Sequence, residues 1–275
     1  MPTAPAETVH FQRLLLTGAA GNLGRSLRPR LGRLAAELRL SDIRPMEAPG
    51  EREEVVVAAL DDAPAIDALV AGCDAVVHMG GVSTEGPWEP ILAANIVGVR
   101  NLYEAARKAG TKRIVYASSN HATGFYRQDE VISPRALPRP DGNYGVSKVF
   151  GEAISRFYWD RYGIETVCLR IGSAFPEPKD RRMLATWLSY DDLERLVVAC
   201  LTAPVVGHSI VYGMSDNGRV WWDNTPAAHI GYRPADTSEP FRAALEAANP
   251  VVDIEAPLFR FQGGTFCAMG PYDEG

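Results

Sequence analysis

The sequence predicts an α/β fold in which a doubly wound parallel sheet carries helices on both faces. Short apolar runs of strand length alternate, from residue 13 to residue 170, with longer segments whose apolar residues recur at helical spacing. A glycine-rich segment, residues 18–24, directly follows the first run and opens the first helical segment. Right-handed crossovers place the carboxyl end of every strand at one sheet edge, so we expect ligands to bind there.

Six strands are predicted in the first 170 residues. Each is a run of five or six residues rich in aliphatic or β-branched side chains, which is the length of a buried strand. The runs span residues 13–17, 38–42, 54–58, 74–78, 113–117 and 165–170.

Helices are predicted between these strands. The first follows the glycine-rich segment, where leucines recur at helical spacing from Leu23 to Leu38. A short helix is predicted over residues 62–71 and a long one over about residues 90–109. Another helix carries Tyr144, and a glycine follows it and the long helix, as is common at helix ends.

The regular alternation weakens after residue 170. Residues 176–182 have the composition of a loop, residues 191–203 of a helix and residues 208–213 of a strand. The last sixty residues are rich in glycine, proline and aromatic residues, and they predict a small lobe folded over the sheet edge. We expect a disordered or frayed tail (1–10), a dinucleotide-binding core (11–172) and a mixed substrate-binding lobe that includes the final core elements (173–275).

Composition and charge narrow the class of protein. The chain has 275 residues, 46% of them hydrophobic and 23% charged, which is typical of a globular protein. Its net charge of −6, without a basic block, disfavours nucleic acid and anionic membranes as partners. We expect no membrane span and no secretory signal, no structural metal, and buried reduced thiols. These features favour a cytoplasmic location.

The glycine-rich segment has the spacing G-x-x-G-x-x-G between a strand and a helix. Gly18 permits the tight turn, Gly21 lets the backbone approach a pyrophosphate, and Gly24 allows close helix packing. The helix N-terminus then stabilises phosphate charge. The segment therefore predicts a Rossmann-type dinucleotide site, with a glycine-rich structural turn as the alternative.

Acidic residues at the next strand ends bear on the choice of cofactor. Asp42 ends the second strand, where a carboxylate accepts hydrogen bonds from ribose hydroxyls and repels a 2′-phosphate. This favours NAD, although the nearby Arg44 leaves some use of NADP open. Asp61 follows the third strand and either bonds the adenine amine or caps the helix that begins near Asp62.

Tyr144 and Lys148 lie four residues apart and so share one face of a helix. A free tyrosine has a pKa of about 10, so it is a poor base at neutral pH. One ammonium at about 4 Å, in an effective dielectric of about 20, supplies about 4 kcal/mol towards the phenolate. The pair is therefore sufficient in principle to remove a proton from an alcohol, although the same spacing occurs by chance on many solvated helix faces.

Polar residues follow the fourth and fifth strands at the same edge. Gly80 and Gly81 let a cofactor pass close to the backbone, and Ser83 and Thr84 come next. Four consecutive polar residues, 118–121, follow the fifth strand. Asn95, on the long helix, either supports a buried proton path or bonds neighbouring backbone.

Together these residues resemble the extended short-chain dehydrogenase/reductase family over about the first 175 positions. The matching positions are Thr17 to Gly24, Asp42, Asn95, Ser119, Tyr144 and Lys148. The resemblance implies that Tyr144 is the general base, that Lys148 lowers its pKa and holds the nicotinamide ribose, and that Ser119 orients the reacting oxygen.

Three further stretches, residues 118–126, 170–189 and 261–266, resemble the uronate dehydrogenases. That family oxidises the C1 hydroxyl of galacturonate or glucuronate to an aldarolactone and forms NADH. The resemblance implies substrate contacts from Ser83, Ser119, Asn120, His121, Ser173 and Arg182. A guanidinium binds a carboxylate bidentately, so Arg182 is the predicted anchor, with Arg181 as its rival.

The resemblance also implies a set of cofactor contacts. These are Gly18, Gly21, Asn22, Leu23, Gly24, Asp42, Ile43, Arg44, Leu60, Asp61, Gly80, Gly81, Val82, Ser83, Asn95, Tyr144, Lys148 and Ala174. Ala174 stands where many relatives have a cysteine near the nicotinamide, and a backbone contact would survive that change.

The predicted function is NAD-dependent oxidation of a hexuronate by a homo-oligomeric enzyme, since helices near Asn95 and Tyr144 pack between subunits in many relatives. One alternative is a nucleotide-sugar epimerase or dehydratase on the same scaffold, which would retain its NAD through turnover. The other is a non-catalytic redox sensor, although such proteins usually lack the tyrosine. The sequence does not decide whether galacturonate or glucuronate is preferred. It also leaves open the preferred anomer and the number of subunits.

Overall fold

The computed structural model describes residues 9–248, 250 and 253–272. Within them, seven strands form one parallel sheet and two short strands pair separately, also in parallel. The strands are β1 (Phe11–Thr17), β2 (Ala35–Asp42), β3 (Glu53–Val57), β4 (Ala75–His78), β5 (Arg113–Ser119), β6 (Glu165–Ile171), β7 (Ser173–Ala174), β8 (Trp187–Leu188) and β9 (His208–Gly213). The large sheet has the order β3-β2-β1-β4-β5-β6-β9, which confirms the predicted doubly wound α/β fold.

The helices connect successive strands and cover both faces of the sheet. They are α1 (Asn22–Leu31), α2 (Ala63–Val70), α3 (Trp88–Ile91), α4 (Gly98–Ala109), α5 (Asn143–Tyr162), α6 (Met183–Thr186), α7 (Tyr190–Thr202), α8 (Arg242–Ala248) and α9 (Pro257–Arg260). A π-helical segment, Leu92–Val97, joins α3 to α4, so the predicted long helix is continuous. None of the described helices is both long and apolar enough to cross a membrane.

Two apolar clusters lie on opposite faces of the sheet. On one face, Leu27 of α1 and Leu196 of α7 pack against strand residues such as Leu16. On the other face, Ile66 of α2 and Leu102 of α4 pack against residues that point the other way. Strands buried on both sides explain why the sequence shows continuous apolar runs instead of alternation.

The leucine spacing of the first helix continues past its end and into the segment predicted as the second strand. The helix ends at Leu31, and Leu34 follows it in a turn. Leu38 lies within β2, paired with Leu14 of β1. Backbone pairing with the neighbouring strand decides the structure of this segment, although its leucine spacing suits a helix.

The two ends of the chain are tied to the core to different extents. Residues 1–8 of the expected tail lie outside the described residues, whereas the His10 backbone N–H donates to Leu34 O at 2.9 Å. The C-terminal segment supplies β9 to the main sheet. It also forms a smaller apolar cluster that includes Trp221, Trp222 and Tyr212. Three of the four cysteines are buried, and all four are free thiols.

Candidate active site

A cleft of about 880 Å³ lies at the carboxyl edge of the sheet. Its walls come from the segments that follow β1, β2, β4, β5 and β6, from the first turn of α5 and from residues 258–266 of the lobe. Every site residue predicted from the sequence lines this cleft, except Asn95. This is the ligand edge that the parallel topology predicts.

The glycine-rich turn builds one end of the cleft. Gly18 has φ +70°, and a β-carbon there would lie 2.5 Å from the Met79 carbonyl carbon. A β-carbon on Gly24 would lie 2.2 Å from Gly18 O, so α1 packs directly against the turn. Gly21 precedes the first turn of α1 and faces the cleft. Backbone without side chains therefore meets a helix N-terminus, a combination that fits a pyrophosphate.

Asp42 lies beside this turn at the end of β2. Its carboxylate accepts hydrogen bonds from the backbone of Ala20 (3.0 Å) and Arg44 (3.0 Å), and from Arg44 Nε (3.2 Å). The side chain of Arg44 is 60% exposed. Asp42 thus stabilises the local turn and also lines the cleft.

The neighbouring residue, Asp62, decides between the two roles predicted for Asp61. Asp62, not Asp61, caps α2, because its carboxylate accepts from the Ala65 backbone N–H at 3.1 Å. Asp61 is exposed and lines the cleft. Its position is compatible with contact to the adenine end of a dinucleotide.

Asn95 is buried behind the cleft wall. Its amide bonds both the N–H (2.9 Å) and the carbonyl (3.0 Å) of Val82, and it donates to Ser147 Oγ at 3.0 Å. A β-carbon on Gly81 (φ +121°) would lie 2.5 Å from its Oδ1. Asn95 therefore holds the loop after β4 in place, which matches the backbone-bonding alternative and places it out of direct reach of the cleft.

Ser118 and Ser119 have different partners. Ser118 Oγ donates to Glu152 Oε1 at 2.7 Å, in a buried network where Arg170 pairs with both oxygens of Glu152 at 2.9 Å. Ser119 Oγ accepts from the His121 backbone N–H at 3.2 Å, and its interaction with Tyr144 lowers the pKa of that phenol. Of the polar residues 118–121, Ser119, Asn120 and His121 carry their functional groups towards the site.

Tyr144 and Lys148 lie on the buried face of α5. Lys148 Nζ donates to Ala117 O at 2.8 Å and lies 5.3 Å from the centre of the Tyr144 ring. Burial raises the pKa of Tyr144 to about 12, and its hydrogen bond with Ser119 acts in the opposite direction. Burial also lowers the pKa of Lys148 to about 8. Burial thus acts against the expected lowering of the Tyr144 pKa, because desolvation disfavours the charged phenolate.

Glu85 caps the catalytic helix and was not predicted. Its carboxylate accepts from the backbone N–H groups of Asn143 (3.0 Å) and Tyr144 (2.9 Å). Only 6% of Glu85 is exposed. A carboxylate at this helix N-terminus satisfies two unpaired donors and fixes the backbone of Tyr144 relative to the loop that carries Ser83.

Arg182 is a partly buried guanidinium in the cleft wall. It donates from Nε to Gln262 O (2.7 Å) and from Nη1 to Ser173 Oγ (3.2 Å). With the Asn120 amide oriented so that its oxygen faces the guanidinium, Nη2 donates to Asn120 Oδ1 (2.9 Å). Burial lowers the pKa of Arg182. None of the ion pairs among residues 9–248, 250 and 253–272 includes it.

The rival of Arg182 points elsewhere. Arg181 donates to Glu246 O at 3.2 Å, pairs with the Glu246 carboxylate and does not line the cleft. A guanidinium has five N–H donors, so Arg182 retains one on each terminal nitrogen for an anionic ligand.

His121 completes this end of the cleft. Its Nδ1 lies 2.6 Å from Asp141 Oδ2, and its ring stacks on Phe266 with centroids 3.9 Å apart. Burial lowers the pKa of His121. Sequence reasoning missed Asp141, and it gave no role to Gln262 and Phe266 although they belong to the stretch 261–266, since each acts on a site residue distant in the chain.

These features define a dinucleotide-binding site with a buried Ser–Tyr–Lys constellation and an adjoining polar subsite. The chain belongs to the NAD dependent epimerase/dehydratase family, whose model matches residues 14–202.

Within that family, the relatives with high identity are uronate dehydrogenases. The chain is 58% identical to the uronate dehydrogenase of Pseudomonas putida over 97% of its own length and 99% of the relative's. Its structure is similar to the glucuronic acid dehydrogenase of Chromohalobacter salexigens, with a TM-score of 0.94, 49% identity and coverage of 96% and 100% of the two chains. A tyrosine-to-alanine variant of the Agrobacterium tumefaciens uronate dehydrogenase, solved with NAD, has a TM-score of 0.92 and 50% identity over 94% of this chain and 98% of that one.

Proposed function

We propose that this chain is an NAD-dependent dehydrogenase that oxidises the C1 hydroxyl of a hexuronate to the aldarolactone. The observation that carries the proposal is the partly buried Arg182 guanidinium, which lines the cleft without an ion-pair partner among the described residues. An unpaired charge that is partly withdrawn from water is costly, and a carboxylate ligand would compensate it. The near full-length identity to uronate dehydrogenases supports the same substrate class.

The polar groups around Arg182 support the orientation of such a substrate. Asn120 and Ser173 each hold one terminal nitrogen of the guanidinium, and the Gln262 carbonyl holds Nε. The two remaining N–H groups would bind the carboxylate of the uronate. This leaves Ser83, Ser119 and His121 to contact the ring hydroxyls.

Tyr144 and Ser119 would act on the reacting oxygen. Ser119 holds the C1 hydroxyl, and Tyr144 accepts its proton while hydride leaves C1. Bound NAD supplies the hydride acceptor and, in its oxidised form, a positive charge beside the phenol. That charge acts in the direction needed to offset the burial that raises the pKa of Tyr144.

The residues that form the other end of the cleft would hold the dinucleotide. The turn at Gly18 and Gly21 with the α1 N-terminus would receive the pyrophosphate, and Asp42 the adenosine ribose. Lys148 would contact the nicotinamide ribose. The carboxylate of Asp42 supports NAD over NADP.

The proposal also covers the oligomeric state of the protein and its location in the cell. The π-helical segment and α5 expose the apolar side chains of Val97 (40%), Val146 (44%) and Phe157 (47%), which supports a homo-oligomer. Light scattering of the purified chain tests this, and a monomer at micromolar concentration would contradict it. The four free thiols are compatible with a cytoplasmic location.

The direct test measures NADH formation with glucuronate, galacturonate and the matching neutral aldoses. We expect NADH with the uronates and little with glucose or galactose, because only the uronates pair with Arg182. Equal rates on glucose and glucuronate would contradict the anchor. Tightly retained NAD without net NADH formation from any uronate would instead indicate an epimerase or dehydratase.

A further inference from the structure

At the polar end of the cleft lies a hydrogen-bonded pair of side chains, His121 and Asp141. His121 lines the cleft, whereas Asp141 lies beneath it with its side chain completely buried. The 2.6 Å separation of Nδ1 and Oδ2 is that of a short hydrogen bond. Asp141 therefore lies beneath the ligand-lining residues and in contact with one of them.

The carboxylate of Asp141 occupies a notch formed by three glycines. A β-carbon on Gly124 or Gly263 would lie 1.9 Å from Oδ2, and one on Gly145 would lie 3.0 Å from Oδ1. These glycines come from three separate segments, two of which carry His121 and Phe266 close by in sequence. The surrounding chain is thus shaped to accept this side chain and no bulkier one.

One oxygen of this buried carboxylate lacks a hydrogen-bond donor among the described residues. Asp141 Oδ1 has no hydrogen-bond partner among the residues that the structure describes. An unsatisfied buried acceptor destabilises the fold, so the presence of Asp141 calls for an explanation beyond packing. The hydrogen bond between its other oxygen, Oδ2, and the His121 ring supplies that explanation.

The contact determines which nitrogen of His121 carries hydrogen. A carboxylate only accepts hydrogen bonds, so Nδ1 of the ring must be the donor. Burial lowers the pKa of His121 and so favours the neutral imidazole, and a neutral ring that donates from Nδ1 has a bare Nε2. Phe266, stacked at an interplanar angle of 14°, fixes the plane in which that lone pair points.

We propose that Asp141 is a positioning residue that fixes His121 as a hydrogen-bond acceptor, so that the site selects a sugar hydroxyl donor at the ring carbon facing Nε2. This inference rests on the proposed uronate function, which it deepens. Nε2 forms no hydrogen bond within the described residues, so it is available to a ligand. A deoxy or O-methyl sugar at that carbon has no proton to donate and is discriminated against.

The kinetic test is a double-mutant cycle on Asp141 and His121, with glucuronate as substrate. Asp141→Asn preserves shape, but its amide can offer either an oxygen or an N–H to Nδ1 and so no longer fixes the tautomer. We expect kcat/KM for glucuronate to fall about tenfold, mainly through KM, while KM for NAD stays within about twofold. In a His121→Gln background, the same Asp141→Asn change should alter kcat/KM by less than about twofold.

The cycle separates positioning from a structural role. An equal loss in both backgrounds would show that Asp141 supports the fold and not His121, and would overturn the proposal. Asp160→Asn, at an exposed aspartate of α5 that pairs with Arg156, is the matched control and should leave both constants unchanged. With 2-, 3- and 4-deoxyglucuronate, one analogue should lose about tenfold in the wild type and less in Asp141→Asn.

A second measurement does not depend on turnover. The ¹⁵N shifts of labelled histidine, with His121→Gln identifying the signal, should show Nδ1 protonated and Nε2 bare in the wild type, and a mixture in Asp141→Asn. A protonated Nε2 in the wild type would overturn the proposal even if uronates are oxidised. Absence of uronate turnover together with the expected tautomer would instead overturn the proposed function and, with it, the sugar selectivity.

Discussion

Lys148 Nζ lies 5.3 Å from the centre of the Tyr144 ring and is anchored to Ala117 O. The ammonium is therefore near the phenol ring, but its hydrogen bond goes to a backbone carbonyl. Burial dominates both groups, since it raises the pKa of Tyr144 to about 12 and lowers the pKa of Lys148 to about 8. Burial thus favours the protonated form of Tyr144, and in the proposed reaction the charge of the oxidised cofactor would act against this.

Replacement of Tyr144 by phenylalanine tests the assignment of the base. The ring and its packing remain, while the group that accepts the proton is lost. We expect kcat to fall by at least about a thousandfold, which is within the range attributed to general base catalysis. NAD affinity, measured by calorimetry, should change little. Turnover within tenfold of the wild type would contradict the assignment.

Ser119 should control the pH dependence of the reaction. Its hydrogen bond with Tyr144 lowers the pKa of the phenol, so Ser119→Ala removes a contact that favours the phenolate. The pKa of Tyr144 then rises, and the ascending limb of the pH profile of kcat/KM moves to higher pH. Steady-state rates from pH 6 to pH 10 measure the displacement. A uniform loss of rate with an unmoved profile would assign Ser119 to substrate binding alone.

The sheet was predictable because its signals are local. Buried strands appear as apolar runs, and the turn at Gly18 appears as glycines between a strand and a helix. Leu38 fits two such signals, since its spacing suits a helix and its apolar run suits a strand, and its pairing with Leu14 confirms the strand.

The site was predictable only where its residues belong to a motif. Tyr144, Lys148 and Ser119 do, and they line the cleft. Glu85 and Asp141 belong to no motif. Glu85 caps the backbone N–H of Tyr144, which lies 59 residues further along the chain. Nothing in the local sequence of an isolated carboxylate indicates which distant donor it will meet.

We expect Lys148 to lower the free energy of unfolding, because its charge is buried at the site. Its pKa falls from 10.5 to about 8 on burial, so the folded state disfavours the charged form. The cost is fully present below pH 8 and disappears as the pH rises from about 8 to 10.5, because the unfolded chain binds the extra proton in that window. Lys148→Met should therefore raise the free energy of unfolding at pH 7 by roughly 1–3 kcal/mol while abolishing turnover.

Denaturant unfolding at pH 7 and pH 10 measures this effect. The advantage of Lys148→Met over the wild type should shrink at the higher pH, where the lysine no longer carries its cost. Lys108→Met, at an exposed lysine that pairs with Asp67, is the control and should show no such trend. A Met variant less stable than the wild type at pH 7 would contradict the sign of the argument.

Asp42 should determine the choice between NAD and NADP. Its carboxylate would repel a 2′-phosphate, and it also engages Arg44 Nε at 3.2 Å. Asp42→Ala removes the repulsion and releases Arg44 for a phosphate. We expect the ratio of kcat/KM for NAD over NADP to fall by at least about tenfold. In Asp42→Ala with Arg44→Ala, the gain in NADP use should largely disappear, and an unchanged ratio in both variants would exclude this control of specificity.

Arg182 and Arg181 provide a matched pair for testing the carboxylate anchor, since they are adjacent and only Arg182 lines the cleft. Arg182→Gln should lower kcat/KM for glucuronate by at least about a hundredfold, because a buried charge pair with the substrate is lost. Arg181→Gln, which removes a contact to Glu246, should stay within about threefold of the wild type. The ratio of rates on glucuronate and glucose separates binding from folding, since a merely unfolded fraction lowers both rates equally. A fall of that ratio in Arg182→Gln alone supports the anchor, and equal losses in the two variants would contradict it.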